Sequence, residues 1–285
     1  MVTKFPQSEI IPAKTDVGAL GNRINMATRD LHDKIDKLMT LKFALAIRDP
    51  KIYRQGIQLF YHLFVAIEKS LFREMENNTK YSEMLQNVYK PAMLRTDKLR
   101  QDLMFFYNDK PENFEEAILP EQIKFVNHIY KTTADKPYLL LAYMHVLYLA
   151  LFAGGRLMKS QVCRSLYLFP QVEGKSFEDI VTLGSNFYNF DTEDNESLRI
   201  IYKRDYELNT RNFLTEAEKE EIIDEAQYIF QMNATCVKEI ENHNIKKIQS
   251  KLSYQIITKG YYVVLGLLML LACYFLKRIA VHLLF

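Results

Sequence analysis

The sequence predicts an all-α protein with one large helical domain and a transmembrane helix at the C-terminus. Two observations predict this fold class. Apolar residues recur every three or four positions over most of the chain, whereas no strand pattern and no internal repeat is visible. Residues 261–276, YYVVLGLLMLLACYFL, are apolar without interruption and lie between Lys259 and Lys277. We therefore expect a flexible tail (residues 1–16), a helical domain (17–250), a linker (251–260) and a membrane anchor (261–285).

The C-terminal apolar run is slightly short for an anchor. At 1.5 Å per residue it reaches about 24 Å, so the flanking lysines or the residues that follow must complete a bilayer crossing. A buried core helix is the alternative. The run is apolar on all sides, follows a polar stretch and ends the sequence, which is typical of a tail anchor.

The composition excludes several classes of protein. The 37 basic and 35 acidic residues are interleaved, so no basic stripe is available to bind nucleic acid. Cys163, Cys236 and Cys273 are far apart, which argues against a disulfide framework or a zinc site and favours a reducing compartment. The N-terminus has no charged start followed by an apolar core, so we expect no signal peptide and a cytosolic helical domain.

The helices of the domain follow from apolar periodicity, capping residues and prolines. Asp49 and Pro50 are a preferred N-cap and first residue, and Thr215 with Glu218 forms a capping box. Residues 171–197 lack periodicity and indicate a structured loop. The predicted helices are 17–38, one from Pro50 that includes 53–75, 98–106, 121–133, one from Pro137 that ends before Pro170, 198–208, and one from Thr215 toward Gln249.

The helix that starts at Pro137 contains the adjacent glycines Gly154 and Gly155. Each glycine costs about 1 kcal/mol relative to alanine in a helix interior, and a glycine pair is a common site of kinks. Two interpretations stay open for this stretch. Another helix packs closely against the glycines, or a flat ligand lies against their backbone, with His145 and Arg156 available for polar contacts.

Among the six histidines, His32 is the best candidate for a functional residue. Arg29 precedes it by three residues and Asp36 follows by four, so a helix places all three on or near one face. An anionic ligand and an oriented imidazole are then both possible. His62 lies in an apolar run and is predicted to be a core residue.

Four segments carry a resemblance to a known family: TRDLHDKID, LFYHLFVAIEKSL, LRQDLMFFY and LLLAYMHVLYLALFAGGR. With LGSNFYNF and LTEAEKEEIIDEAQYIFQMN they span the chain from Val17 to about Asn244, in the family's order. The chain resembles the haem oxygenases, and more narrowly the fungal, tail-anchored members. The resemblance implies a single helical domain in which haem lies between a proximal helix and a glycine-kinked distal helix.

The resemblance also implies roles for individual residues. His32 corresponds to the proximal ligand of the haem iron, and Asp36 to a carboxylate that fixes the orientation of its ring. Gly154 and Gly155 correspond to the distal kink, which brings backbone close to the haem face. The residues that correspond to the contacts of the haem propionates are Arg29, His145, Arg199 and Lys203, with His145 in place of a tyrosine.

The distal side departs from the family pattern at three positions. Leu151 stands where well-studied members have an aspartate that holds a proton-delivering water network. Ala150 replaces a glycine and Phe64 replaces a tyrosine. Tyr148, Arg156 or water held by backbone carbonyls near the kink would then have to supply protons.

The activity that the resemblance implies is oxidation of haem by O2 to biliverdin, carbon monoxide and ferrous iron, for haem degradation and iron recycling. Haem would be both substrate and cofactor. The electrons would come from NADPH through a diflavin reductase anchored in the same membrane, which is expected to be the endoplasmic reticulum, with the catalytic domain facing the cytosol.

Two alternatives stay open. The first is a haem-binding sensor, buffer or peroxidase-like protein without efficient ring cleavage, which Leu151 and Phe64 favour. The second is a tail-anchored helical interaction protein that binds no haem.

Overall fold

The computed structural model describes residues 12, 13, 15–165, 167–250 and 252–284, and within them it contains helices and turns but no strands. The all-α prediction is confirmed. The predicted flexible tail lies mostly outside the described residues. The described residues up to Glu239 form one compact unit and those from Ile240 onward form a second.

The helices are numbered in chain order, and short 3₁₀ segments at 91–93, 137–139 and 186–188 separate some of them. One π-helical segment, Met144–Tyr148, joins α8 to α9. The α-helices are α1 (Leu20–Ala27), α2 (Arg29–Ala46), α3 (Pro50–Met75), α4 (Lys80–Val88), α5 (Thr96–Phe106), α6 (Glu112–Glu115), α7 (Pro120–Asp135), α8 (Leu140–Tyr143), α9 (Leu149–Ala153), α10 (Gly155–Cys163), α11 (Phe177–Leu183), α12 (Asn195–Phe213), α13 (Glu216–Ser250) and α14 (Leu252–Leu284).

Helix α3 is the centre of the first unit, and its start is the predicted one. The Asp49 side chain accepts hydrogen bonds from the backbone amides of Lys51 and Ile52, at 2.9 and 3.3 Å, and Pro50 is the first helical residue. The helix packs against α4, α5, α7 and α8. His62 lies on α3 and is buried, which confirms its prediction as a core residue.

The single helix predicted over residues 17–38 is wrong, because the structure has two helices there. The chain leaves helical geometry at Thr28, where φ is −100° and ψ is 1°, and the Thr28 hydroxyl donates to the Ile24 carbonyl at 2.8 Å. A side chain that bonds the preceding turn in this way competes with helix continuation. Helix α2 then extends to Ala46, beyond the predicted end.

The loop predicted over residues 171–197 is partly wrong, since it contains α11. Ser176 and Asp179 form a capping box at the start of this helix, a signal that the sequence carries and the prediction missed. The acidic end of the segment begins α12, because Asp194 accepts hydrogen bonds from the amides of Glu196 and Ser197, both at 3.0 Å. Helix α12 is therefore longer at both ends than the predicted 198–208.

Residues 137–163, here called the bent helix, form one rod of five helical segments. The rod bends by 47° between Phe152 and Gly155, which confirms the predicted kink at the glycine pair. It is buried from Tyr138 to Tyr148. The π-helical segment lies just before the bend, and such segments often occur at functional sites.

His145, in the π-helical segment, joins the bent helix to α1. Its Nε2 donates to Asn25 Oδ1 at 3.1 Å, and its ring packs on Tyr206 of α12 with centroids 5.3 Å apart. Gly21 of α1 allows this approach, because a Cβ there would lie 3.1 Å from His145 Cε1. Burial, and secondarily the charge of Lys203, lowers the pKa of His145 to about 4.

The second unit contains one helical stretch, Lys259–Lys277, that is long and apolar enough to cross a membrane, with a mean hydropathy of 1.8. None of its residues is buried within the protein. The bent helix is comparably apolar, but its burial identifies it as a core helix. Helix α14 starts at Leu252, so residues 252–260 of the predicted linker are helical. The domain boundaries proposed from the sequence stay a prediction.

Two glycines allow a matched test of the packing. Gly56 lies inside α3, where a Cβ would meet no atom within 4 Å, so Gly56→Ala should stabilise the protein by about 1 kcal/mol. At Gly184 a Cβ would lie 2.9 Å from Phe105 Cδ1 and 3.0 Å from Phe169 Cδ1, so Gly184→Ala should destabilise it by roughly 1–3 kcal/mol. Urea unfolding followed by circular dichroism measures both, and equal shifts would contradict the described packing.

The pKa of His145 predicts how stability depends on pH. The folded protein keeps His145 neutral down to a pKa of about 4, whereas the unfolded chain binds the proton near pH 6.5. Stability should therefore fall as the pH is lowered from about 6.5 to 4, by up to about 1.4 kcal/mol per pH unit from this residue. His145→Gln should flatten the slope. His243→Gln, a change at an exposed histidine, should not; equal slopes in both variants would refute the assignment.

Candidate functional site

Helix α2 carries three of the predicted site residues on its exposed surface. Arg29, His32 and Asp36 are all exposed, and the Arg29 Nε lies 3.9 Å from an Asp30 oxygen. The His32 ring meets Phe230 of α13 edge-on, with centroids 5.8 Å apart. Among the described residues, neither ring nitrogen of His32 has a hydrogen-bond partner. The structure therefore does not join Asp36 to His32, and the imidazole is available to a ligand.

The apolar face of α2 is incompletely covered. This helix has 18 residues and none of them is buried. Leu31, Ile35, Leu38 and Phe43 are only half-buried, although an amphipathic helix normally buries such a face. An additional apolar group is needed to cover it.

The bent helix is also incompletely covered near its bend. Its continuous burial ends at Tyr148. Leu149, Leu151 and Phe152 are half-buried and Ala150 is exposed, whereas Gly155 is buried again. An aromatic wall links this region to α2. The ring centroids of Phe43, on α2, and Tyr53 are 6.4 Å apart, and the hydroxyls of Tyr53 and Tyr188 are 3.2 Å apart. Two residues after Tyr188, the Phe190 ring stacks on Phe152 of the bent helix.

The glycine pair is not explained by packing within the protein. Among the described residues, an added Cβ would meet only the preceding turn: Ala150 O at 3.4 Å from Gly154, and the Leu151 side chain at 3.8 Å from Gly155. The backbone of Gly154 is ordinary, with φ −87° and ψ −31°. Neither another helix nor an unusual conformation requires glycine here. Of the two interpretations of this stretch, close packing of another helix against the glycines is therefore not seen among the described residues.

Tyr148 lies at the end of the π-helical segment and its hydroxyl is bound by a buried acid. It donates to Glu68 Oε1 of α3 at 3.1 Å, and its ring packs on Phe64 at 5.3 Å. Glu68 also accepts from the amides of Arg95, at 2.6 Å, and Thr96, at 3.2 Å. Burial raises the pKa of Glu68, although its hydrogen bonds act in the opposite direction.

Arg95, just before α5, is fully buried, and its side chain donates hydrogen bonds only to backbone carbonyls among the described residues. Its Nε donates to Met93 O at 2.9 Å and its Nη2 to Ala92 O at 2.6 Å. Its Nη1 donates to Phe187 O at 3.0 Å and Asn189 O at 2.7 Å. The guanidinium also lies over the Phe190 ring, 4.6 Å from its centroid. Arg95 thus attaches the segment after α11 to the core.

The remaining candidates lie on or beside α12. Arg199 pairs with Glu196, with 2.9 Å between Nε and Oε2, and Lys203 is half-buried and close enough to affect His145 electrostatically. The structure thus groups His145 with Lys203 and Asn25, and it groups Tyr148 with Glu68. No contact joins either group to Arg29 or Asp36 within the described residues.

These features fit haem. A flat apolar macrocycle covers exposed apolar faces, a single imidazole without partners suits one axial position, and cations near α12 suit two carboxylates. Within the described residues no cluster of three or more His, Cys, Asp or Glu side chains could hold a bare metal ion.

Four residues around the site were missed from the sequence: Glu68, Arg95, Asn189 and Phe190. Charged side chains are rarely buried without partners, so Glu68 and Arg95 would be placed on the surface by default. The aromatic cluster at 187–190 was a usable signal, because three apolar rings in a loop need a core to pack against.

Comparison with known sequences agrees with these observations. The family model described as "Heme oxygenase" matches residues 18–239. "Heme-binding protein HMX1" of Saccharomyces cerevisiae is 40% identical over 268 residues, which cover 88% of this chain and 84% of that protein. "Heme oxygenase 2" of the cyanobacterium Synechocystis is 27% identical over 228 residues, which cover 78% of this chain and 83% of that protein.

Two solved structures have the same fold. Heme oxygenase-1 from Synechocystis in complex with heme superposes with a TM-score of 0.66 and 23% identity, over 87% of this chain and 99% of that one. Heme oxygenase-2 from Synechocystis in complex with heme and NO gives a TM-score of 0.67 and 24% identity, over 85% of this chain and 92% of that one. The match of the family model over most of the chain, the similarity to the yeast protein and the shared fold show that the chain belongs to the haem oxygenase family.

Proposed function

We propose that the protein binds haem between α2 and the bent helix, with His32 as the iron ligand, and that it opens the ring with O2 to give biliverdin, carbon monoxide and ferrous iron. The observation that carries the proposal is the glycine pair, because among the described residues a Cβ added at either glycine would meet only atoms of Ala150 or Leu151 in the preceding turn. The incompletely covered faces of both helices support it. Solved relatives described as heme complexes support haem as the ligand.

The polar contacts of haem would come from four residues. Arg199 and Lys203 on α12, with Arg29 on α2, supply positive charge for the propionates. His145 is neutral at physiological pH and donates to Asn25, so it contributes packing and orientation and no charge. Asp36 stays a candidate for orienting His32, through a contact that forms only with haem bound.

The chain's own residues shape the distal side. Haem, when bound, supplies the redox-active iron at which O2 reacts. Gly154 and Gly155 leave space at the backbone, while the apolar side chains of Leu151, Ala150 and the fully buried Phe64 offer no polar group that could hold water. None of these three side chains has an ionisable group that could donate a proton.

The proton source that we propose is the pair formed by Tyr148 and Glu68. Because burial raises the pKa of Glu68, this carboxyl holds a proton to higher pH than an exposed glutamate. Tyr148 is bonded to it and belongs to the bent helix, three residues before Leu151. Arg156, which is exposed beside the glycine pair, is a second candidate.

We also propose that electrons reach the haem from NADPH through a diflavin reductase in the same membrane. The stretch Lys259–Lys277 would anchor the chain as a C-terminal tail in the endoplasmic reticulum, with the helical domain in the cytosol. Two partners in one bilayer meet at high effective concentration, so a weak docking surface suffices.

A haem-binding protein without efficient ring cleavage is the second candidate function. Leu151 favours it, because residues 143–159, the stretch around the bend, contain no acidic residue. The name of the yeast relative, a heme-binding protein, is consistent with it.

Replacing the iron ligand tests haem binding. His32→Ala should weaken haem affinity by at least about tenfold, which corresponds to about 1.4 kcal/mol, because the iron loses its axial bond. The measurement is a haem titration of the full chain in detergent, followed at the Soret band. His243→Ala, at an exposed histidine, is the matched control and should bind like the wild type.

Either of two outcomes would contradict this assignment. Unchanged affinity of His32→Ala would mean that another residue binds the iron. A wild-type chain that binds no haem would favour the helical interaction protein.

Restoring an acid on the distal side tests whether the chain opens the ring. Leu151→Asp should raise the rate of biliverdin formation by about tenfold or more if proton supply limits it, whereas Leu151→Asn, which has the same shape but no acidic proton, should not. The assay uses haem, NADPH, a diflavin reductase and air, with a chelator for ferrous iron. If the wild type gives no biliverdin and only Leu151→Asp does, the binding-only function is correct for the natural chain. If the wild type forms biliverdin at a rate that Leu151→Asp does not change, that function is rejected.

A further inference from the structure

The bend of the bent helix lacks a local cause that would fix its angle. Gly154 and Gly155 have no side chains, and no protein atom beyond the preceding turn approaches their Cβ positions among the described residues. A glycine pair tolerates a range of backbone angles. Some contact between the two arms of the helix and the rest of the protein must therefore hold the 47° bend.

The structure contains a contact of this kind at two consecutive residues. Phe190 stacks on Phe152 of α9, with ring centroids 4.3 Å apart and planes 2° from parallel. Asn189 accepts a hydrogen bond from Lys159 of α10 through its Oδ1, at 2.7 Å. One residue thus holds the arm before the bend and its neighbour holds the arm after it. We call Asn189 and Phe190 the brace.

The brace is itself held rigidly. Arg95 donates to the Asn189 carbonyl at 2.7 Å and lies over the face of Phe190 at 4.6 Å. Phe190 is therefore located between Arg95 and Phe152. Just before the brace, Asp102 of α5 accepts hydrogen bonds from the amides of Asn186 and Phe187, both at 2.8 Å. The segment 186–190 is bonded to α5 and to Arg95 along its length.

We propose that Asn189 and Phe190 are positioning residues that fix the bend angle, and thereby the height of the Gly154–Gly155 backbone above the bound haem. The proposal rests on the proposed function for the identity of the ligand, but the brace exists without it. The height of the backbone determines which molecules fit on the distal side: a fixed bend admits diatomic gases and excludes bulkier ligands.

Hydrogen exchange on the full chain in detergent, without haem, tests the brace directly. Phe190→Ala and Asn189→Ala should each speed amide exchange in peptides that cover residues 153–160 by about tenfold, because the bend opens more often. Phe190→Tyr keeps the stacked ring and should restore wild-type exchange. The matched control is Phe177→Ala, which removes a half-buried ring of α11 that packs on Phe169.

The control defines the result that overturns the brace. If Phe177→Ala and Phe190→Ala speed exchange equally, or if neither does, the bend is held by something else. Urea unfolding establishes that each variant is folded. If Phe190→Ala does not fold, Lys159→Met removes only the hydrogen bond to Asn189 and should still speed exchange in the arm after the bend.

A second measurement tests the functional part of the proposal. In the haem complex, Phe190→Ala should raise the affinity for a bulky isocyanide relative to that for carbon monoxide, while Phe190→Tyr should leave the ratio unchanged. If Phe190→Ala speeds amide exchange but leaves the ratio of the two affinities unchanged, the brace fixes the bend and does not select the distal ligand. A wild type that fails to bind haem would refute the proposed function, and the exchange data would still decide the brace.

Discussion

The burial of the Arg95 guanidinium is the constraint on which most of the site depends. A cation removed from water is strongly destabilising unless hydrogen bonds replace its hydration. Here four backbone carbonyls replace it, two from residues 92 and 93 and two from residues 187 and 189. Burial lowers the pKa of Arg95 only to about 10, so the group stays charged at neutral pH. The carbonyls must therefore remain in place, and the segment 186–190 has little freedom to move.

The candidate site therefore combines a rigid part, fixed by buried hydrogen bonds, with helix surfaces that the protein covers only partly. The Glu68 carboxyl group accepts hydrogen bonds from the amides of Arg95 and Thr96 and from the hydroxyl of Tyr148. One side chain of α3 thus connects the start of α5 to the bent helix. By contrast, α2 buries none of its residues, and residues 149–152 of the bent helix are half-buried or exposed. In the proposed function, this arrangement holds the glycine backbone against haem and leaves an exposed face at which haem can enter.

The sequence predicts the local features of this fold well and the long-range ones poorly. The Asp49 cap, the capping box of Thr215 and Glu218, and the kink at Gly154 depend on residues a few positions apart, and the structure has all three. The break at Thr28 accompanies a hydrogen bond from its hydroxyl to the Ile24 carbonyl. Any threonine in a helix can form such a bond, so the sequence does not show where the helix breaks. The burial of Arg95 depends on carbonyls more than 90 residues away, which no local pattern reveals. For the site, the glycine pair and His32 were visible as candidates, whereas the residues that hold them were not.

Whether a haem-binding protein with this fold can also cleave haem depends on where a proton-donating acidic side chain lies. Ring cleavage consumes protons, and a proton must come from a group that holds one at neutral pH and lies within hydrogen-bond reach, directly or through one water. Leu151 cannot supply it, and Glu68 is bonded to Tyr148 and to the start of α5. Tyr148 and Leu151 are three residues apart on the bent helix, so their side chains lie about 60° apart around the helix axis. A proton from Glu68 must pass around the helix edge to reach the glycine pair. Leu151 provides no acid at the bend, so in the proposed function ring cleavage depends on a proton relayed through Tyr148, whereas haem binding requires no acid there.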